Sequence, residues 1–371
     1  MPSIPFIEAR LDLVDEGWRQ IETRLTQHFI ALRKRADEGS AKGSAPSEAD
    51  EDEGDASSWG RYDRNSPTPE QTKRIRDRSR KLAAMREAAS GVQHLTSEER
   101  ERLSVLRGGV TLVPVESEHR ADEIAAELHA SMPWMGPATE EVWYALRRSA
   151  KAGEPGVRIP PLLLGGPPGI GKSVWARRLG DILGVPSTSI DASGETAGFA
   201  VAGVQRGWTN SQPGRPLNLI TSKLIGNPVI VVDEVEKAGK VTSSKGHSHG
   251  LAEALLSLLE PATARRWSCP LYRVVFDMSW ISWILLSNST APLPEPLLSR
   301  CRVVRLAPPS LEHLIHFVWM EGRRRKLMTI SLEAIEECVR RAMPKRGKIS
   351  LRTIIRLLER AEFLESKPRL H

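Results

Sequence analysis

A glycine-rich loop at residues 166–173 constrains this 371-residue chain more than any other feature. It reads Gly-Pro-Pro-Gly-Ile-Gly-Lys-Ser and matches G-x-x-x-x-G-K-[ST], the phosphate-binding P-loop or Walker A motif. An apolar run at 162–164 precedes the loop and a helix-like run at 174–183 follows it, which is the strand–loop–helix context that the motif requires. We therefore predict a nucleotide site made by Gly166, Pro167, Pro168, Gly169, Ile170, Gly171, Lys172, Ser173 and Val174.

Two residues of this loop have specific expected roles. Lys172 is expected to reach the β- and γ-phosphates, and the Ser173 hydroxyl to ligate Mg²⁺. The glycines let successive backbone N–H groups turn toward the phosphates, because a glycine adopts the necessary backbone angles without steric cost. The alternative is a glycine-rich turn with no ligand.

A second motif follows some 60 residues later, where an apolar run at 228–232 ends in Asp233-Glu234. A run without polar residues is typical of a central parallel strand, which is buried on both faces. Such a sheet binds its ligand at the carboxyl ends of the strands. Asp233 is therefore expected to organise Mg²⁺, and Glu234 to act as the base on the attacking water. The alternative is two surface acids that cap a strand.

The spacing of the motifs predicts an α/β fold. It is a P-loop NTPase three-layer core with a parallel sheet over residues 109–308, followed by a small all-α lid over 309–371. The predicted sheet strands are 162–164, 186–191, 228–232, 283–287 and 303–306, and the predicted lid helices are 311–325, 331–343 and 350–364.

A charged helical region over residues 1–108 precedes this core. Apolar residues at helical spacing predict a helix over 6–36, and residues 37–70, with an acidic run at 48–55, have the composition of a disordered linker. Residues 71–90 predict a basic helix that could lie on nucleic acid or pair with the acidic linker. It lacks interleaved aromatic residues, which disfavours stacking on single strands.

Composition excludes some classes of protein. The net charge of +7 is spread over 53 basic and 46 acidic residues, which indicates a highly charged surface. No apolar stretch has membrane-spanning length and the N-terminus lacks a signal-peptide core, so we expect a cytoplasmic protein. The three cysteines show no metal spacing. His247 and His249 are interpreted as solvated side chains, since no further metal ligand lies near them.

Taken together, these residues resemble an AAA+ ATPase, with Walker A at 166–173 and Walker B at 229–234, and especially the ATPase module of Lon-type proteases. The resemblance extends over residues 162–361, just over half the chain. Further segments that are similar to Lon lie at 203–208, 212–215, 227–237, 252–261 and 293–300.

The resemblance implies roles for four more residues. Asn288 corresponds to the sensor-1 residue that holds the attacking water, and Arg300 to the arginine finger that reaches a neighbouring subunit's γ-phosphate. Arg352 fits the sensor-2 position, with Lys348 as its competitor. Trp208 falls on the pore-loop aromatic that grips a translocating polypeptide. The alternatives are ordinary surface charge for the arginines and a core position for Trp208.

The resemblance also implies ATP and Mg²⁺ as cofactors, and a homo-oligomer, most simply a hexameric ring. Lon proteases continue into a peptidase domain, whereas few residues follow the third lid helix here, so we expect a Lon-like ATPase without its own protease. Three outputs stay open: remodelling or unfolding of a protein substrate through the ring pore, a motor or switch on a nucleic-acid or nucleoprotein partner, and a nucleotide-gated scaffold. An intact Glu234 disfavours the scaffold.

Overall fold

A computed structural model describes residues 2–41, 65–194, 197–208, 211–238, 250–346 and 349–366. The chain divides into two compact units, one formed by Met1–Glu8 with Gly108–His371 and the other by Ala9–Arg107. The acidic run at 48–55, His247, His249 and Lys348 lie outside the described residues. The sequence-based division at residues 108 and 308 stays a prediction.

The larger unit contains all nine strands of the described ranges. In chain order they are β1 (Ser3–Ile4), β2 (Val110–Thr111), β3 (Leu162–Gly165), β4 (Ser187–Asp191), β5 (Val229–Asp233), β6 (Trp267–Ser268), β7 (Val275–Phe276), β8 (Ser282–Ser287) and β9 (Arg302–Arg305). Five of them form one parallel sheet in the order β4-β5-β8-β3-β9. The other four form two short antiparallel pairs, β1 with β2 and β6 with β7.

The helices in chain order are α1 (Trp18–Ala41), α2 (Pro69–Ser90), α3 (Ser97–Ser104), α4 (Glu118–Ser131), α5 (Gly136–Ala152), α6 (Lys172–Leu183), α7 (Ala197–Ala202), α8 (Arg215–Lys223), α9 (Leu251–Leu259), α10 (Pro261–Ala264), α11 (Glu295–Leu298), α12 (Leu311–Arg324), α13 (Thr329–Arg346) and α14 (Leu351–Ser366). Short 3₁₀ helices lie at Leu11–Val14, Pro133–Met135 and Val235–Lys237. In the described part of the chain no helix combines the length and apolarity needed to cross a membrane.

The parallel sheet is the centre of the larger unit. All four residues of β3 and all six of β8 are buried, as are the first four of β5. Such strands need apolar side chains on both faces, because helices cover the sheet on each side. The predicted fold class, a parallel sheet with flanking helices followed by a helical lid, is confirmed.

The order of the strands decides which chain segments meet at the carboxyl edge. Strand β8 lies between β5 and β3, so the residue after β8 lies between the P-loop and the Asp233-Glu234 turn. That residue is Asn288. Parallel strands bring their carboxyl ends to one edge, where open α/β sheets bind ligands.

The lid consists of α12, α13 and α14, within two or three residues of the predicted bounds. Helix α12 begins at a capping box in which the Ser310 hydroxyl accepts from the backbone N–H of His313, whose side chain accepts from the Ser310 N–H. This arrangement satisfies two N–H groups that a helix start leaves unpaired. Leu314 and Val318 of α12 are buried in the same core cluster as Ile354 and Leu358 of α14.

The smaller unit, Ala9–Arg107, contains α1, α2 and α3. The prediction of one helix over 6–36 is wrong at its beginning, because α1 starts at Trp18 and a separate 3₁₀ helix occupies Leu11–Val14. Gly17 separates the two, and glycine disfavours a helix interior. Apolar spacing alone did not reveal the break, since the spacing continues across it.

Candidate nucleotide-binding site

The P-loop joins β3 to α6 and depends on two glycines. Gly169 and Gly171 have φ angles of +77° and +92°, a left-handed region that costs other residues about 1–2 kcal/mol. A Cβ on Gly169 would lie 2.9 Å from the Cβ of Ser350, and one on Gly171 would lie 3.2 Å from Cδ1 of Leu351. The Leu351 N–H also donates to the Gly169 carbonyl at 3.0 Å. The lid therefore contacts the loop directly at the start of α14.

Lys172 lies buried beneath this loop. Its Nζ donates to the carbonyl oxygens of Gly166 at 2.6 Å and Pro167 at 3.1 Å, and to Oδ1 of Asn288 at 3.2 Å. Burial lowers the pKa of Lys172, while three nearby carboxylates act in the opposite direction: Asp233, Glu236 and Glu234. Each of the three N–H donors of the ammonium group thus has an acceptor within the protein. Phosphate oxygens could replace these acceptors when a nucleotide binds.

Ser173 and Asp233 join the P-loop helix to the carboxyl end of β5. The Ser173 hydroxyl donates to Oδ2 of Asp233 at 2.5 Å. Ser173 belongs to the first turn of α6 and Asp233 to the end of β5, opposite Asp191 of β4 in the strand register. A hydroxyl and a carboxylate are hard oxygen ligands, which Mg²⁺ prefers. The donor set therefore fits the predicted metal.

Glu234 follows β5 in an unusual conformation. Its φ of +55° is in the left-handed region, which is uncommon for a residue with a long side chain. Its N–H donates to Oδ1 of Asp233 at 2.9 Å, and its Oε1 accepts from Nζ of Lys237 at 2.7 Å. Strained backbone of this kind costs about 1–3 kcal/mol and clusters at functional sites.

Glu236 is a residue whose position the sequence analysis missed. Its Oε1 accepts from the backbone N–H of Asn288 at 3.0 Å and from Nδ2 of the same residue at 2.8 Å. Burial is the largest single influence and opposes ionisation of Glu236, but hydrogen bonds from Asn288, from the Glu236 backbone and from the Ser287 side chain together lower the pKa. The sequence does show an acid two residues after Glu234, but only the structure shows that it lies next to the end of β8.

A cleft of about 820 Å³ brings the predicted residues together. Lys172, Ser173, Asp233, Glu234, Asn288 and Arg352 all line it, as do Pro168, Gly169, Gly171 and Val174 of the loop. Met132 from the segment before the P-loop and Phe317, Leu351 and Ile355 from the lid add apolar surface. Gly166 and Pro167 contribute through their carbonyl bonds to Lys172.

The lid also brings positive charge that the sequence analysis missed. Arg324 and Arg325 line the cleft near the end of α12, and both donate to Glu321 of the same helix. Arg325 also donates to Glu362 of α14 at 3.3 Å. In the sequence these arginines belong to a run of four basic residues at the end of a helix, which is indistinguishable from ordinary surface charge.

Arg300 and Trp208 do not line the cleft. Arg300 pairs with Oε2 of Glu260 at 3.3 Å and donates to the Pro296 carbonyl at 3.0 Å. Trp208 is 49 % exposed, and its ring centroid lies 5.8 Å from that of Phe199. Trp208 follows Gly207, whose φ is +96°. If these two residues have the predicted roles, each acts at a surface outside the nucleotide cleft of its own chain.

Comparison with known proteins finds a family model that matches the central part of the chain. Residues 162–309 match the model described as "ATPase family associated with various cellular activities (AAA)". The chain is similar to the peroxisomal Lon protease homolog 2 of Spinacia oleracea, with 26% identity over 280 residues, 67% of this chain and 31% of the relative. The Homo sapiens protein of that name is 33% identical over 147 residues, 40% of this chain and 17% of the relative.

The chain therefore spans less than a third of the length of these relatives. Among solved structures, a chain of the "S. cerevisiae Hsp104:casein complex, Extended Conformation" matches with a TM-score of 0.45 and 16% identity, covering 67% of this chain and 48% of that chain. The segment that the AAA model matches begins at β3 and contains the P-loop, Asp233, Glu234 and Asn288. Residues 162–309 therefore match an AAA domain, and the chain is similar over part of its length to Lon-type proteases.

Proposed function

We propose that this chain hydrolyses ATP with Mg²⁺ and uses the reaction to remodel a protein substrate. The observation that carries the proposal is the convergence of Lys172, Ser173, Asp233, Glu234 and Asn288 on one cleft. Each type of side chain suits one part of phosphoryl transfer, in which the protein mainly positions reactants and stabilises charge.

The phosphates would replace the acceptors that Lys172 now bonds within its own loop. Ser173 and Asp233 would hold Mg²⁺, directly or through its water shell, since their oxygens already meet at 2.5 Å. The bound metal would supply positive charge that offsets the negative charge of the phosphates. Arg352 would supply further positive charge from the lid.

Glu234 is the proposed base. It lines the cleft next to Asp233, and its carboxylate is held by Lys237 at 2.7 Å. To accept a proton from water, the carboxylate has to turn from Lys237 toward the phosphates. A positioned general base contributes about 10²- to 10⁴-fold in rate, so Glu234→Gln should lower kcat by that amount while ATP binding persists.

A ring of subunits, most simply a hexamer, follows from the proposed role of Arg300. This side chain is partly exposed and lies outside the cleft of its own chain. It can serve hydrolysis only from a neighbouring subunit, as an arginine finger does. We infer that Glu260 holds Arg300 until a neighbouring nucleotide competes for it.

The proposed output depends on Trp208. An aromatic ring that is half exposed, next to a glycine of positive φ, can contact a polypeptide passing through a central pore. Trp208→Ala should stop remodelling of a protein substrate while ATP hydrolysis stays near the parent rate, and Trp208→Tyr should retain remodelling. Remodelling by Trp208→Ala at the parent rate would exclude this role.

We also propose that the chain does not cleave its protein substrate, so a labelled substrate should stay intact during ATP hydrolysis. The proposed location of the protein is the cytoplasm.

The nucleic-acid alternative receives less support. Basic side chains of α2 pair with acids of their own unit: Arg74 with Glu70, Arg76 with Glu22, and Arg86 with Glu16. Arg80 lies 4.9 Å from the centroid of the Trp18 ring. Phosphate binding would have to compete with these partners. Stimulation of ATP hydrolysis by DNA or RNA at low salt would revive this alternative.

A further inference from the structure

Asn288 lies between a carboxylate and an ammonium group, and the two charges orient its amide. Nδ2 donates to Oε1 of Glu236 at 2.8 Å, whereas Oδ1 accepts from Nζ of Lys172 at 3.2 Å. A reversed amide would place its oxygen against the Glu236 carboxylate and its NH₂ group against the ammonium of Lys172. Both contacts would be repulsive, so the network allows one orientation.

This orientation turns the carbonyl oxygen of Asn288 toward the P-loop. The cleft therefore receives a hydrogen-bond acceptor from this residue, while an NH₂ hydrogen is committed to Glu236 on the opposite side. An acceptor can hold a water by its proton, whereas a phosphate oxygen requires a donor. With Nδ2 held by Glu236, the carbonyl oxygen of Asn288 is placed to orient a water or Lys172.

Glu236 is well placed to enforce the orientation. It belongs to the 3₁₀ turn Val235–Lys237 that follows β5, and the turn is anchored by the buried Val235. The same carboxylate oxygen accepts from the Asn288 backbone N–H at 3.0 Å, which ties the end of β8 to the turn. Strands β5 and β8 are neighbours in the sheet, so both groups are fixed to rigid elements.

We propose that Glu236 is a positioning residue for ATP hydrolysis, which holds Asn288 so that its carbonyl oxygen faces the attacking water. The inference rests on the proposed ATPase activity and adds a residue to it. Glu236 hydrogen-bonds to Asn288 and acts on Lys172 only through its charge, so its main effect on the rate should pass through Asn288.

The test compares Glu236→Ala, Glu236→Gln, Asn288→Ala and the double variant Glu236→Ala/Asn288→Ala in the full chain. Steady-state hydrolysis of Mg-ATP gives kcat and KM, and a fluorescent ATP analogue gives the dissociation constant. Glu333→Ala, an exposed acid of the lid, is the control for removal of a carboxylate. Thermal unfolding of each variant shows whether it folds.

We expect Glu236→Ala to lower kcat about 10- to 100-fold with nucleotide affinity within about two-fold of the parent, since a charge-assisted hydrogen bond is lost. Glu236→Gln retains a carbonyl acceptor and should recover most of the rate. The double variant should be no slower than Asn288→Ala alone, because residues that act as one unit are not additive. Glu333→Ala should match the parent.

Three results would overturn the proposal. The first is a Glu236→Ala chain that hydrolyses ATP at the parent rate, and the second is a double variant whose losses multiply. The third is a Glu236→Ala chain that no longer binds nucleotide, which would assign Glu236 to the structure of the site. In each case the parent still hydrolyses ATP and the proposed function stands. A parent without Mg-ATP hydrolysis would overturn both.

Discussion

Replacement of Glu321 by glutamine tests how the lid holds its charge at the cleft. The side chain of Glu321 is only 10% exposed, yet it is ionic. Its Oε2 accepts from Nε of Arg324 at 2.7 Å, and its Oε1 accepts from Nη2 of Arg324 at 2.7 Å and from Nε of Arg325 at 2.9 Å. Glu321→Gln keeps the volume and one acceptor but removes the charge that both arginines face.

The two arginines should contribute unequally. Arg324 is 75% exposed, and a pair with so exposed a partner is worth about 0.2–1 kcal/mol. Arg325 is 22% exposed, and a charge-assisted bond in such surroundings is worth about 1.5–3 kcal/mol. Because glutamine retains part of this bonding, we expect a loss of about 2 kcal/mol in the free energy of unfolding at pH 7.

The loss should depend on pH in a defined direction. The bonds from Arg324 and then Arg325 lower the pKa of Glu321 below its ordinary value of 4.5, against the opposing effect of burial. A lowered pKa in the folded state gives stability that is complete above the unfolded-state pKa and is lost as the pH falls through the folded-state pKa. The difference between parent and variant should therefore be constant from pH 7 to about 5 and shrink below it.

Urea unfolding of the full chain, followed by circular dichroism at several pH values, measures this difference. Urea is preferred to guanidinium because it does not screen charges. Glu337→Gln is the matched control, since Glu337 pairs with Arg341 one turn away on an exposed face of the lid, and it should change stability by less than about 0.5 kcal/mol. A Glu321→Gln variant as stable as the parent at pH 7, or a loss of stability unchanged at pH 4, would show that the charge of Glu321 does not stabilise the lid.

Three further predictions concern Gly171 of the P-loop, the proposed arginine finger Arg300, and the reactivity of the cysteines. Gly171→Ala should weaken binding of a fluorescent ATP analogue, whereas Gly184→Ala, with a similar φ of +67° but open space around its Cβ, should only lower thermal stability. Arg300→Ala should lower ATP hydrolysis about 10³-fold with binding retained, and mixing it with Lys172→Ala subunits should restore part of the rate, because each supplies what the other lacks. Burial raises the pKa of Cys301 to about 12, so a maleimide at pH 7.5 should label the exposed Cys338 and leave Cys301 unmodified in the native chain.

The strand–loop–helix units could be predicted from the sequence, because the residues that indicate each unit are close together in the chain. The apolar runs before Gly166 and before Asp233 lie on the observed strands β3 and β5. Continuous apolar runs of this length are typical of parallel central strands. The predicted beginning of α1 was wrong, because the spacing of apolar residues indicates which residues share a helix face. It does not indicate a break in the backbone such as the one at Gly17.

The parts of the site that could not be predicted are contacts between distant segments. Glu236 binds Asn288 across 52 positions, and this pairing depends on β5 and β8 being neighbours in the sheet. Glu321 pairs locally with Arg324 and Arg325 along α12, but the group lines the cleft only because the lid packs against the P-loop. Charges of this kind are abundant in the chain, and only the tertiary fold distinguishes these from the solvated ones.

Phosphate release from Mg-ATP by the purified chain measures directly whether the cleft hydrolyses ATP. We predict steady release that stops with EDTA, falls to background in Lys172→Ala, and falls at least about 100-fold in Glu234→Gln while nucleotide binding persists. Release that Lys172→Ala and Glu234→Gln leave unchanged would contradict this prediction, as would the absence of release by a parent chain that binds ATP.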